Sequence, residues 1–183
     1  SHAQGAQGVK NAIVGGVDTI EHGFFLDDEC VEMMLKHGTY YVPTFALVEV
    51  YKKALENPYD MPDYRLRKQR MCIEAMPKSL MKAYEAGVKI ATGPDYFGAP
   101  LRAHGDNADE LIALVKYGMK QNDVIVAATK NGAECIGIEG ELGTLEEGKL
   151  ADMIALDGNP LEDIEAVKRV SYVMKTGKTF LHK

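Results

Sequence analysis

The feature that most constrains this chain is the alternation of short β-prone runs with helical stretches over its first 132 residues. An amphipathic stretch with Val9, Ala12 and Ile13 at helical spacing opens it, stopped by Gly15 and Gly16, and reads as a helix without its preceding strand. A β-prone run over 17–21 ends at His22. Asp27 then caps a helix carrying Val31, Met34 and Leu35, which Gly38 closes, and residues 40–45 form the next strand. After 88–92, another apolar strand, Asn107 and Glu110 make a capping-box start for a helix ended by Gly118, and Asn122 opens a further one running to about Gly132. Strand-helix-strand order of this kind predicts parallel strands joined by crossover helices. Residues 47–86 break the rhythm as a Met-rich, charged excursion, helical in pattern but interrupted by Pro58, Pro62 and Pro77, and read as a helical insertion.

From about Leu142 the texture changes to turns and alternating strands. Residues 151–156 predict one strand, and 170–175 with 178–181 flank Thr176-Gly177 as a hairpin, so 142–183 is expected as a small all-β appendage to an α/β unit over 1–141. With 46% apolar and 26% charged residues and a net charge of -6, the composition supports one buried core and argues against nucleic acid as a partner. The one basic cluster, Arg65, Arg67, Lys68 and Arg70, reads as a solvated helix face. Cys30, Cys72 and Cys135 are too few and too scattered for a disulfide framework; they read as structural thiols in a reducing compartment, and a cytoplasmic location is expected. No apolar run approaches a membrane span, and no membrane partner is expected.

Three β-prone runs carry a potential metal ligand: His2 in Ser-His-Ala, His22 in Ile-Glu-His-Gly and Asp95 in Thr-Gly-Pro-Asp. In a parallel barrel such strand ends open on one face, where catalytic groups gather. Two imidazoles and a carboxylate brought together there suit zinc or a similar divalent cation, and the carboxylate also suits proton transfer, Asp95 being the catalytic candidate. Taken singly, each has a structural reading: His2 as an ordinary terminal residue, His22 as a satisfied core histidine, Asp95 as a turn residue after Pro94. His104, in the following loop, is a candidate to contact substrate or to support Asp95. Tyr41, near its strand end, is a pocket candidate. His37 and His182 read as structural or exposed, and the methionines as core.

These residues also resemble a family. His2-Ala3-Gln4-Gly5 followed by 16–23, Gly-Val-Asp-Thr-Ile-Glu-His-Gly, is similar to strands five and six of the amidohydrolase superfamily, in its imidazolonepropionase-like and Xaa-Pro dipeptidase-like branch. Residues 41–44 resemble strand seven, 91–95 strand eight, 104–111 the segment after it, and 143–152 with 159–161 the return into a β-sandwich. The resemblance implies the C-terminal half of a (β/α)8 TIM barrel followed by part of a β-sandwich. It implies two divalent metals, zinc expected, with His2 and His22 on the more exposed one, Asp95 on the more buried one and passing a proton to the leaving amine, and a metal-activated hydroxide as nucleophile.

The family's His-x-His after strand one and its strand-four lysine have no counterpart here, and Pro94 stands where a small polar residue is commoner. The expected activity is hydrolysis of an amide in a dipeptide or N-acyl amino acid, with a cyclic amide such as imidazolonepropionate next; this segment alone is expected to be inactive. The rival readings are a non-catalytic fragment or subunit that folds against a complementary N-terminal half, and a metal-binding or assembly module. Half a barrel leaves edges and an apolar inner face open, so association is expected over a stable monomer.

Overall fold

The computed structural model describes residues 1–56, 61–98 and 101–182. Its first sheet is parallel, in the order β1 (His2–Gly5), β2 (Thr19–Phe25), β3 (Tyr40–Val42), and Ile90 adds a parallel bridge to Tyr41. The helix expected to lack its strand therefore has one. β1 is polar and poor in β-formers, so nothing local signals it; pairing with β2, extended by the Glu21 amide on the Ser1 carbonyl at 2.8 Å, holds it extended.

Between the strands run α1 (Ala6–Val14) and α2 (Asp28–His37). Asp27 caps α2 by accepting from the Cys30 amide at 2.9 Å, and Gly38 ends it in the left-handed conformation at φ 69°. His37 lies in the last turn, as expected. Two strand limits differ from the sequence reading. β2 continues through His22 and Gly23 to Phe25, whereas β3 stops at Val42 because Pro43 cannot donate to the ladder and Thr44 turns the chain at φ 48°.

The 47–86 segment is two helices, α3 (Leu47–Glu56) and α4 (Asp63–Ala86), with Pro58 outside the described residues. Pro62 takes the N-cap position of α4, but Pro77 lies inside it without ending it. Cys72, Met76, Leu80 and Ala83 bury one face of α4 in the common core, and those contacts on both sides of Pro77 outweigh the local backbone cost. Ser79 ties α4 to the end of β2: its hydroxyl donates to the Phe24 carbonyl at 2.9 Å and accepts from the Leu26 amide at 3.0 Å.

Past the first sheet lie α5 (Ala108–Lys116), α6 (Gln121–Ala128) and α7 (Lys130–Cys135), Thr129 breaking what reads as one helix in the sequence. The antiparallel sheet β4 (Met153–Leu156), β5 (Val170–Lys175), β6 (Lys178–His182) follows, with the hairpin at Thr176-Gly177. Lys168 ion-pairs with Asp109 at 2.8 Å, joining the short helical turn between β4 and β5 to α5. Among the described residues no helix is long and apolar enough to cross a membrane.

Candidate active site

Parallel pairing sets Ala3 beside His22, so β1 and β2 deliver two imidazoles to one place. His2 Nδ1 lies 2.7 Å from His22 Nε2, and the rings stack with centroids 4.9 Å apart. On its far side, His22 Nδ1 lies 2.9 Å from the Thr44 hydroxyl, which itself donates to the Pro43 carbonyl at 2.8 Å. Since Thr44 spends its only proton there, it must accept from His22, which makes Nδ1 the protonated nitrogen. The lone pair of His22 is thus on Nε2, turned toward His2. Burial and the neighbouring His2 hold the His22 imidazole below the usual histidine range, with Asp95 pulling the other way, so the ring is neutral at neutral pH.

Asp95 is exposed and close enough to act on His22 electrostatically. His22, Thr44 and Asp95 share a further property: φ is 79°, 48° and 55° respectively. Left-handed backbone at a non-glycine residue costs on the order of 1–3 kcal/mol and is retained where the surroundings dictate it. Here the strain falls on His22 within β2, on Thr44 just past β3, and on Asp95 in the loop after Ile90. His2, His22 and Asp95 do not close into a three-ligand cluster: among the described residues no group of three His, Cys, Asp or Glu side chains could hold one metal ion. The pair itself suits a cation, with a lone pair on a neutral, buried imidazole whose other nitrogen is anchored by Thr44.

His104 is exposed, with its ring against Gly98, and does not join the histidine pair. Tyr41, expected at the pocket, is instead core: it is 1% exposed, and its hydroxyl donates to the Gly23 carbonyl at 3.2 Å. Its position in β3 points the ring under β2, where the absence of a side chain at Gly23 makes room for it.

Two residues escape the sequence reading. Thr44 sits where a strand ends, the same placement that singled out His22 and Asp95. Glu110 is no capping-box member: Asn107 makes no side-chain cap, while Glu110 is fully buried and accepts from the Phe45 and Ala46 amides at 2.9 and 2.6 Å. It thereby secures the turn that follows Thr44. Burial pushes its carboxyl up to about 7, against the pull of the two amides. The signal was available, since Glu110 shares a helix face with Ala113 and Leu114.

Comparison with known proteins bears on the family and the fold. Ochratoxinase of Aspergillus niger is 35% identical over 98% of this chain, which covers 37% of that enzyme. A crystal structure of a Xaa-Pro dipeptidase with methionine bound in its active site superposes with a TM-score of 0.91 at 41% identity, covering 98% of this chain and 44% of that one. A prolidase complexed with N-methylphosphonate-L-proline gives 0.83 at 30% identity, over all of this chain and 44% of that one. The chain thus spans about two fifths of these relatives. The amidohydrolase family model matches residues 1–180, and the chain belongs to that family.

Proposed function

We propose that residues 1–141 form the C-terminal half of a (β/α)8 barrel and 142–183 part of its β-sandwich, within a metal-dependent hydrolase of amide bonds in dipeptides or N-acyl amino acids. The observation that carries this is the His2–His22 pair at 2.7 Å on adjacent parallel strands, with Asp95 acting on it. Kinship with ochratoxinase and with Xaa-Pro dipeptidase structures supports an amide substrate.

In this reading His2 and His22 hold a divalent cation, zinc being the one their nitrogens suit. Such a cation, when bound, lowers the pKa of water and polarises a carbonyl. Thr44 keeps His22 in the tautomer that presents Nε2. Asp95, exposed and acting on His22 electrostatically, would take the proton released by the attacking water and return it to the leaving nitrogen. The lack of a three-ligand cluster among the described residues favours a second reading for this segment alone, namely that it is inactive and completes its site only against a complementary half.

The test is elemental analysis and hydrolysis of N-acyl amino acids by the intact protein, purified without chelator, beside its His22→Ala variant. Bound metal with turnover, both lost in the variant, supports the reading. Turnover that survives both chelation and His22→Ala overturns it.

A further inference from the structure

Beyond the histidine pair, a cavity of about 840 Å³ lies between α3, α4 and the stretch around Arg102. Gln4, two residues after His2 on β1, lines it, and so does Tyr51 on α3. Among the described residues, the lining carries Lys53, Arg65, Lys68 and Arg102 against one acid, Glu56, in a chain whose net charge is -6. Part of the basic cluster on α4 thus faces a cavity.

The cavity also holds two unpartnered buried polar atoms, Arg102 Nε and Gln69 Oε1, the only ones found among the described residues. Gln69 is 7% exposed. Buried polar groups are nearly always hydrogen-bonded, and a buried donor left without a partner is costly, so two in one cavity point to a missing ligand. The Arg102 guanidinium is held over the Phe97 ring, 4.2 Å from its centroid. A donor fixed in this way, with further cations around it, matches an anion with planar oxygens. A carboxamide is free to turn end for end, so Gln69 can offer an N–H to the same anion.

We propose that this cavity binds the free carboxylate of the substrate, with Arg102 as its ion-pair partner, Gln69 as a second donor and Lys68 at the rim. The inference rests on the amide-hydrolase reading and narrows it: the substrate is an N-acyl amino acid or dipeptide bearing a free carboxylate, and neutral cyclic or esterified amides are excluded. Arg102 is then a specificity residue.

The test compares binding of N-acetyl-L-leucine and its uncharged carboxamide to the metal-loaded intact protein by calorimetry, with hydrolysis measured in parallel. The acid is expected to bind at least about tenfold tighter, a preference lost in Arg102→Gln and partly kept in Arg102→Lys. Lys68→Ala, an exposed substitution that leaves the core untouched, is expected to weaken the acid several-fold and the carboxamide not at all. Equal binding of the two probes, binding of neither, or a preference that survives Arg102→Gln overturns the proposal. A carboxylate preference without hydrolysis of either probe sinks the hydrolase reading and leaves the anion site standing; hydrolysis without the preference does the reverse.

Discussion

Glu110 is held wholly out of solvent with two backbone amides as its partners, so its charge state is coupled to folding. Its carboxyl titrates at about 7 in the folded chain against an ordinary 4.5, which means the folded state binds the proton more tightly. Its contribution to stability is therefore complete below 4.5 and lost as pH rises through about 7, a change of up to about 3 kcal/mol. Glu110→Gln should flatten that part of the profile, read as urea midpoints at pH 5 and pH 8; a variant whose profile parallels the parent's contradicts the assignment. At the histidine pair the decisive contact is Thr44. Thr44→Val removes the only acceptor that orients His22 Nδ1–H, and metal affinity should fall roughly tenfold or more, measured by competition with a chromogenic chelator. Unchanged affinity would mean that Thr44 serves the backbone turn alone.

At the scale of elements, β2 is where packing is least forgiving. A Cβ added at Gly23 would lie 2.7 Å from the Tyr41 ring, on backbone at φ 49°, so Gly23→Ala should destabilise the protein by roughly 2–4 kcal/mol in thermal or urea unfolding. Loss of under about 0.5 kcal/mol would show that Tyr41 has room to move. This strand also shows what the sequence reveals and what it hides. Apolar spacing and caps disclosed α1 and α2, because Val9, Ile13, Asp27 and Gly38 act locally. The runs ending in His22 and Asp95 disclosed the candidate ligands for the same reason. β1 stayed hidden because its extended form depends on β2, and the burial of α4 because Ser79 binds to Phe24 and Leu26, residues more than fifty positions away. Glu110 and Gln69 were misjudged or overlooked for a related reason: their partners, or lack of them, are set by elements distant in sequence.

For the whole molecule, the balance of covered and uncovered surface is what matters. The parallel sheet buries Ile20, Phe24 and Tyr41 against helices, yet β1 offers an edge with no second strand beyond it among the described residues. The antiparallel sheet is barer still: Ile154 on β4 and Phe180 on β6 are 57% and 63% exposed. Open strand edges and exposed apolar faces drive pairing with other chains. The 183 residues expressed by themselves should therefore self-associate, and their sedimentation should shift with concentration across the micromolar range. On the proposed half-barrel reading, adding the complementary half as a separate chain should replace that association with a defined heterodimer, since the same edges and faces would then be occupied. A monomeric mass at every concentration, with one sharp and concentration-independent thermal transition, would show instead that these surfaces are tolerated in water. The segment would then have to be regarded as a self-sufficient unit, and its histidine pair as a site that needs no second half.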